Sequence, residues 1–285
     1  MTPLRIGDFE VPRIGLGAMT LSQVDGYDEK RSIRTVHVAL DAGVRLIDTA
    51  DVYGPGGGYG INEQLVAKAL HTYAGDRDQV MVATKGGHVR NPDNTFWVNG
   101  SRAHLHAACR ASLTRLGLDV LPLYQHHRPD PRVPYAESMM ALRELHDAGL
   151  VARVGISNAD SAQIRVGHQI LGAALVSVQN EYSPRHRGSE PEIDLCAELG
   201  LVFLSYSPLG GMREAKDLGA RFDAFARVAE ERAVSPQRVA LAWQLGRGAH
   251  VLPIPGASRP ASVIDSVQAL DLVLTSAERH LLDTV

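Results

Sequence analysis

A carboxylate and a phenol stand five residues apart in L-I-D-T-A-D-V-Y-G (residues 46–54), where an apolar run gives way to a glycine-rich stretch. Alone, the pair reads most simply as a capping Asp48 and a packed Tyr53. Two other stretches add to it. V-M-V-A-T-K ends on Lys85, and V-L-P-L-Y-Q-H leads into His127, so a lysine and a histidine also close apolar runs. A free tyrosine keeps its proton up to a pKa of about 10, and an adjacent ammonium stabilises phenolate and lowers that value. Asp48 would keep Lys85 charged, and His127 would hydrogen-bond the same substrate oxygen. Such a set delivers a proton to a carbonyl oxygen as negative charge develops there. This suits carbonyl reduction by hydride with Tyr53 as acid, or alcohol oxidation with Tyr53 as base.

The elements that must position these side chains alternate along the chain. Apolar, strand-like runs begin at Ile14, Arg45, Val80, Val120, Ala152, Leu175, Val202 and His250. Between them lie helical patterns such as Glu29 to Leu40, Asn62 to Leu70, His104 to Leu116, Ala136 to Ala148 and Pro236 to Leu245. Near-continuous apolar strands are buried on both faces, and eight strand–helix units predict a parallel (β/α)8 barrel of the TIM type. Its chemistry belongs at the C-terminal strand ends, where all four residues fall. Ser235-Pro236 predicts a capped helix start, and Asn62-Glu63 another. Gly43, Gly117, Gly149 and Gly200 predict left-handed helix ends. Gly7-Asp8, between two short runs, predicts a hairpin that plugs the barrel bottom. Nothing divides the chain, so one domain over residues 1–285 is expected.

Of the 285 residues, 45% are hydrophobic and 21% charged, an ordinary globular balance. A net charge of −3 gives no electrostatic reason to expect nucleic acid or an anionic membrane as partner. Cys109 and Cys196 lack metal or disulfide spacing, and no apolar stretch reaches the roughly 18 residues of a span. The expectation is a cytoplasmic protein, monomeric or a weak homo-oligomer.

Taken in order, the motifs resemble the aldo-keto reductase family from about Gly15 to the C-terminal region. They are D-T-A-D-V-Y-G from Asp48, T-K-G from Thr84, L-Y-Q-H-H-R-P-D from Leu123 and G-I-S-N from Gly155. V-Q-N from Val178, Y-S-P-L-G from Tyr206 and I-P-G-A from Ile254 complete the set. The resemblance implies a catalytic tetrad of Asp48, Tyr53, Lys85 and His127. His126 falls on the motif's variable position, and strand alternation sends it to the face opposite His127. With no third ligand at suitable spacing, no metal site is expected.

Hydride needs a carrier, because no side chain supplies it. G-L-G-A-M-T after the first strand lacks the third glycine of a Rossmann fingerprint. The resemblance implies instead an extended nicotinamide dinucleotide across the barrel top. Ser157, Asn158 and Gln179 would hold its carboxamide, Tyr206 would stack on its ring, and Ser207 to Gly211, including Leu209, would follow its pyrophosphate. Beyond Gly256, Arg259 would clamp a 2′-phosphate, and Asp265 matches an acidic residue near the adenine. NADP(H) is favoured, with NAD(H) the alternative. Taken singly, Asn158 is also a helix start, Gln179 a core amide and Tyr206 barrel packing.

The substrate pocket falls to loops. Met19, His88 and Trp97 are its candidate walls, with Phe96, Met212 and Arg213 nearby. Pro55-Gly56-Gly57-Gly58 reads either as a moving loop or as a long turn. The expected activity is reduction of an aldehyde or ketone. The alternatives are a cofactor-binding redox sensor or regulatory subunit of the same family, and an unrelated barrel enzyme using Lys85 as a Schiff base. That last chemistry requires a neutral lysine, which Asp48 opposes.

Overall fold

A hairpin comes first. β1 (Leu4–Ile6) and β2 (Phe9–Val11) pair antiparallel around Gly7, whose φ of 63° suits a residue without Cβ. Ile6 and Val11 pack against Leu46, Met81, Leu123, Val202 and Leu252, the inward residues of the strands that follow. The hairpin therefore closes the bottom of the barrel, as its sequence predicts. The coordinates are a computed structural model describing residues 4–284 except 24, 25, 56, 57, 92, 94 and 213.

The remaining strands are β3 (Leu16–Gly17), β4 (Leu46–Asp48), β5 (Met81–Gly86), β6 (His88–Arg90), β7 (Phe96–Val98), β8 (Leu123–His126), β9 (Val154–Ser157), β10 (Leu175–Glu181), β11 (Val202–Tyr206) and β12 (Val251–Pro253). Eight form one parallel sheet in the order β3-β4-β5-β8-β9-β10-β11-β12. Its ends meet: Gly15 N donates to Pro253 O and Gly17 N to Pro255 O, each at 3.0 Å. A Cβ on Gly17 would lie 2.7 Å from the Ile254 carbonyl oxygen, so only glycine permits this seam. The fold is a (β/α)8 barrel.

Around it run α1 (Glu29–Asp41), α2 (Ile61–His71), α3 (Arg102–Leu116), α4 (Tyr135–Asp147), α5 (Ser161–Leu171) and α6 (Glu190–Leu199). They are followed by α7 (Leu218–Arg221), α8 (Asp223–Glu231), α9 (Pro236–Leu245), α10 (Pro260–Val267) and α11 (Ser276–Asp283). Ser235 caps α9 by accepting from Arg238 N. Gly43, Gly117, Gly149 and Gly200 all take positive φ, as their positions after helices predict. No helix among the described residues is long and apolar enough to cross a membrane.

The structure departs from the sequence reading at two places that bear on the site. The long connection after β5 contains the β6–β7 hairpin, pairing His88 with Val98 and Arg90 with Phe96. Asn62 does not open α2: Gly60 caps it in a left-handed conformation, and Asn62 is fully buried within its first turn. There its amide donates to Ala18 O and Ser22 Oγ and its oxygen accepts from Thr49 Oγ1, tying α2 to the ends of β3 and β4. A buried amide must be bonded in this way.

Candidate active site

Strand alternation aims the polar residues. In β4, Leu46 faces the barrel interior and Ile47 the helices, which returns Asp48 to the interior. In β5, Met81 and Ala83 face in and Val82 faces out, so Lys85 also points in. In β8, Leu123 faces in and Tyr124 out, which places Gln125 and His127 inside and His126 outside. His126 accordingly lies against Tyr135 of α4, with ring centroids 5.7 Å apart. Among the described residues, no three His, Cys, Asp or Glu side chains converge as metal ligands.

The four side chains meet above the apolar interior. Lys85 Nζ donates to Asp48 Oδ2 at 2.5 Å, to Thr49 O at 2.9 Å and to Tyr53 Oη at 3.2 Å. Those acceptors use all three protons of the ammonium. Asp48 Oδ1 accepts from Gln125 Nε2 at 3.0 Å and Gln179 Nε2 at 2.7 Å, so both carboxylate oxygens are fixed. His127 meets Tyr53 edge-on with centroids 5.8 Å apart. Lys85 is 1% exposed and faces no open space, whereas Tyr53 and His127 line the cleft above.

Burial sets the protonation states. It would lower the Lys85 ammonium, but Asp48 and Tyr53 outweigh it and hold the group above its ordinary value. Burial likewise raises the Tyr53 phenol. Lys85 pulls that phenol down, as the sequence reading expected, yet desolvation is stronger and the net shift is upward. Burial, then the charge of Lys85, drives His127 well below the usual imidazole range. The resting site thus holds a protonated phenol, a charged lysine and a neutral histidine.

A cavity of about 960 Å³ runs from this cluster to the N-terminal end of α10, large for a small-molecule site. Ser157, Asn158, Gln179, Tyr206, Ser207, Leu209, Gly211, Gly256, Arg259 and Asp265 all line it. Asn158 and Ser207 hold left-handed backbone conformations, φ 57° and 47°. Such strain gathers at functional positions. Tyr206 Oη donates to Asn158 Oδ1 at 2.8 Å, and Asn158 Nδ2 to His127 O at 2.9 Å, which ties the ends of β11, β9 and β8 together. Asp265 is not open: Arg238 holds it at 2.7 Å and Ser235 donates to it as well.

The substrate candidates separate. Met19 and His88 line the cleft, and Met212 and Phe96 do too. Trp97 does not. Alternation along β7 turns it away from the cleft, where the Arg132 guanidinium lies 5.2 Å from its ring. Phe96 takes the inner place, stacked on His88 at 5.0 Å. Arg213, Gly56 and Gly57 lie outside the described residues. Sequence reasoning missed Gln125, whose inward register in β8 marks it, and Arg128, a cation at the strand-end rim. It also missed the α1 side of the cleft, formed by Thr20, Gln23, Tyr27 and Arg31.

The sequence profile of the aldo/keto reductase family matches residues 13–285. The chain belongs to this family. An uncharacterized oxidoreductase of Schizosaccharomyces pombe is 32% identical over 277 residues, covering 96% of this chain and 86% of the relative. The structure of a glycerol dehydrogenase from Gluconobacter oxydans superposes with a TM-score of 0.85 at 26% identity, covering 99% of this chain and 94% of that one. An aldo-keto reductase from Klebsiella pneumoniae in complex with NADPH gives 0.83 at 28% identity, with coverage of 99% and 94%. Family membership makes this aldo/keto reductase an oxidoreductase.

Proposed function

We propose that this aldo/keto reductase reduces an aldehyde or ketone to the alcohol, or runs the reverse reaction, with NADP(H) as hydride carrier and Tyr53 as general acid and base. The observation that carries the proposal is the position of Lys85 Nζ, held between Asp48 at 2.5 Å and Tyr53 at 3.2 Å. Hydride for the carbonyl carbon would come from a nicotinamide bound in the cleft. Tyr53 donates its proton to the carbonyl oxygen, and Lys85 stabilises the phenolate left behind. Asp48, fixed by Gln125 and Gln179, keeps Lys85 charged throughout. Neutral His127 hydrogen-bonds the same oxygen without competing for the proton.

The residues present fit such a carrier. Thr20 Oγ1 is buried without a partner at the cleft wall, and a Cβ on the facing Gly256 would come 3.2 Å from it. That leaves an unsatisfied hydroxyl beside a bare backbone, which an oxygen-rich ligand completes. Tyr206 offers the nicotinamide its ring, Asn158 and Ser157 its carboxamide, and Ser207 to Gly211 the pyrophosphate. Arg259, immediately before α10, holds the 2′-phosphate, in keeping with the NADPH-bound Klebsiella relative. The test is nicotinamide absorbance with NADPH or NADH against a panel of aldehydes and ketones. Carbonyl-dependent consumption supports the proposal. Tight cofactor binding without consumption across the panel sinks it in favour of a binding-only role.

A further inference from the structure

The charges that face the cleft are unevenly answered. Its two acids are both neutralised within the protein, Asp48 by Lys85 and Asp265 by Arg238. Its cations are Arg31, Arg128, Lys216 and Arg259, and among the described residues none of the four is held in an ion pair. Three belong to segments away from the tetrad: Arg31 in α1, Lys216 beyond β11 and Arg259 beside α10. Arg128 is different, because it directly follows His127 at the end of β8.

Among the described residues Arg128 pairs with no acid, and its guanidinium reaches only the Tyr206 hydroxyl at the same rim. The nearest acid in sequence is Asp130, buried and already engaged by Arg132 Nε at 3.0 Å and by the backbone N–H groups of Gly100 at 3.0 Å and Arg132 at 2.9 Å. The Arg128 side chain is exposed at the barrel mouth. Its charge bears on Tyr53, His88, His127 and Tyr206, which come from four different segments and ring the position where a carbonyl reacts. His88 is held down to about 4 by burial and by Arg128, so it stays neutral and adds no second positive charge. Phe96, stacked on His88, supplies an apolar part of the cleft wall.

We propose that Arg128 is a specificity-determining residue that selects carbonyl substrates carrying an anionic oxygen group, a carboxylate or a phosphate, close to the reacting carbonyl. The proposal rests on the reductase reading above. A guanidinium presents a planar fork that matches both groups with paired, charge-assisted hydrogen bonds. A lysine would hold the anion as a point charge with less orientation. The anion-bearing end is thereby fixed on the β8 side, and the carbonyl is turned toward Tyr53 and His127.

The experiment compares matched substrates: 4-carboxybenzaldehyde against its methyl ester, and glyceraldehyde 3-phosphate against glyceraldehyde. Wild type should favour at least one charged member by roughly tenfold or more in kcat/KM, with the gain mainly in KM. Which pair shows it separates carboxylate from phosphate recognition. Arg128→Gln should reduce the charged-to-neutral ratio at least tenfold, and Arg128→Lys should retain part of it. A second measurement needs no turnover: calorimetric titration of the NADP+ complex with benzoate and with inorganic phosphate, for wild type and Arg128→Gln. Wild type should bind one of the anions, and the variant should bind it at least tenfold more weakly. No preference in wild type, or an equal fall for charged and neutral substrates, overturns the proposal. So does a variant whose main defect is in NADPH affinity, because that would place Arg128 on the cofactor. If the anion titration behaves as expected while no carbonyl is reduced, the reductase reading fails and the anion site stands.

Discussion

Lys85 Nζ reaches the Tyr53 hydroxyl from beneath, at 3.2 Å, with the ammonium itself almost fully buried. The phenol faces the cleft on its other side, so the ammonium charge beneath it is shielded from solvent. In so little solvent an ion pair is only weakly screened, and the pairing with Asp48 is needed to keep the lysine charged at all.

Removing Lys85 therefore has two separable effects. Lys85→Met leaves Asp48 buried without its partner, which destabilises the fold by about 3–5 kcal/mol. It also removes the phenolate partner, and reduction should fall by roughly a hundredfold or more. In the double variant Asp48→Asn/Lys85→Met, urea unfolding should recover much of the lost stability while the rate stays low. Wild-type turnover in folded Lys85→Met would refute the role assigned to the lysine.

The pH profile follows from the directions of the shifts. His127 is held well below, and Tyr53 above, its ordinary value. Reduction needs the phenol protonated, so kcat should be level between about pH 6 and 9 and fall only as the phenol titrates above about 10. Alcohol oxidation, which needs phenolate, should rise with pH over the same alkaline range. A reductive limb near pH 6.5 that disappears in His127→Gln would show the imidazolium, and not the phenol, to be the acid.

Much of this site was legible because strand alternation is strict. Asp48, Lys85 and His127 each close an apolar run, and their inward places follow from the alternation begun by Leu46, by Met81 and Ala83, and by Leu123; the ordered motifs then placed Tyr53. The β6–β7 hairpin was not legible. H-V-R and F-W-V are too short for a period to show, and their pairing depends on the turn between them. Trp97 was misplaced for that reason: a one-residue difference in register exchanges the inner and outer side chains. Asn62 was read as a cap because asparagine favours caps, but its buried hydrogen bonds to Ala18, Ser22 and Thr49 override that local preference. Arg128 stood inside a recognised motif and was passed over. Only the structure shows that Asp130 is occupied elsewhere.

The hairpin register makes its own prediction. Phe96→Ala opens the wall beside His88 and should raise KM for aromatic aldehydes several-fold while altering aliphatic ones less. Trp97→Ala should leave both KM values near wild type, its effect limited to a small loss of stability through the missing contact with Arg132. The opposite ranking in KM would mean that Trp97, not Phe96, faces the substrate.

At the far end of the cleft, Arg259→Ala should weaken NADPH by roughly ten- to a hundredfold, the loss of a charge-assisted pair. NADH, which lacks the 2′-phosphate, should change by less than about threefold. Quenching of protein fluorescence during cofactor titration reads both. Equal weakening of the two cofactors would remove Arg259 from the 2′-phosphate site.

The most direct test of the account gives the protein NADPH deuterated on the transferred face of the nicotinamide, with wild type beside Tyr53→Phe. Wild type should form an alcohol carrying one deuterium on the former carbonyl carbon. Tyr53→Phe should bind the cofactor comparably and form that product at least a hundredfold more slowly. Product without the label, or labelled product made equally fast by Tyr53→Phe, would contradict hydride transfer assisted by a proton from Tyr53.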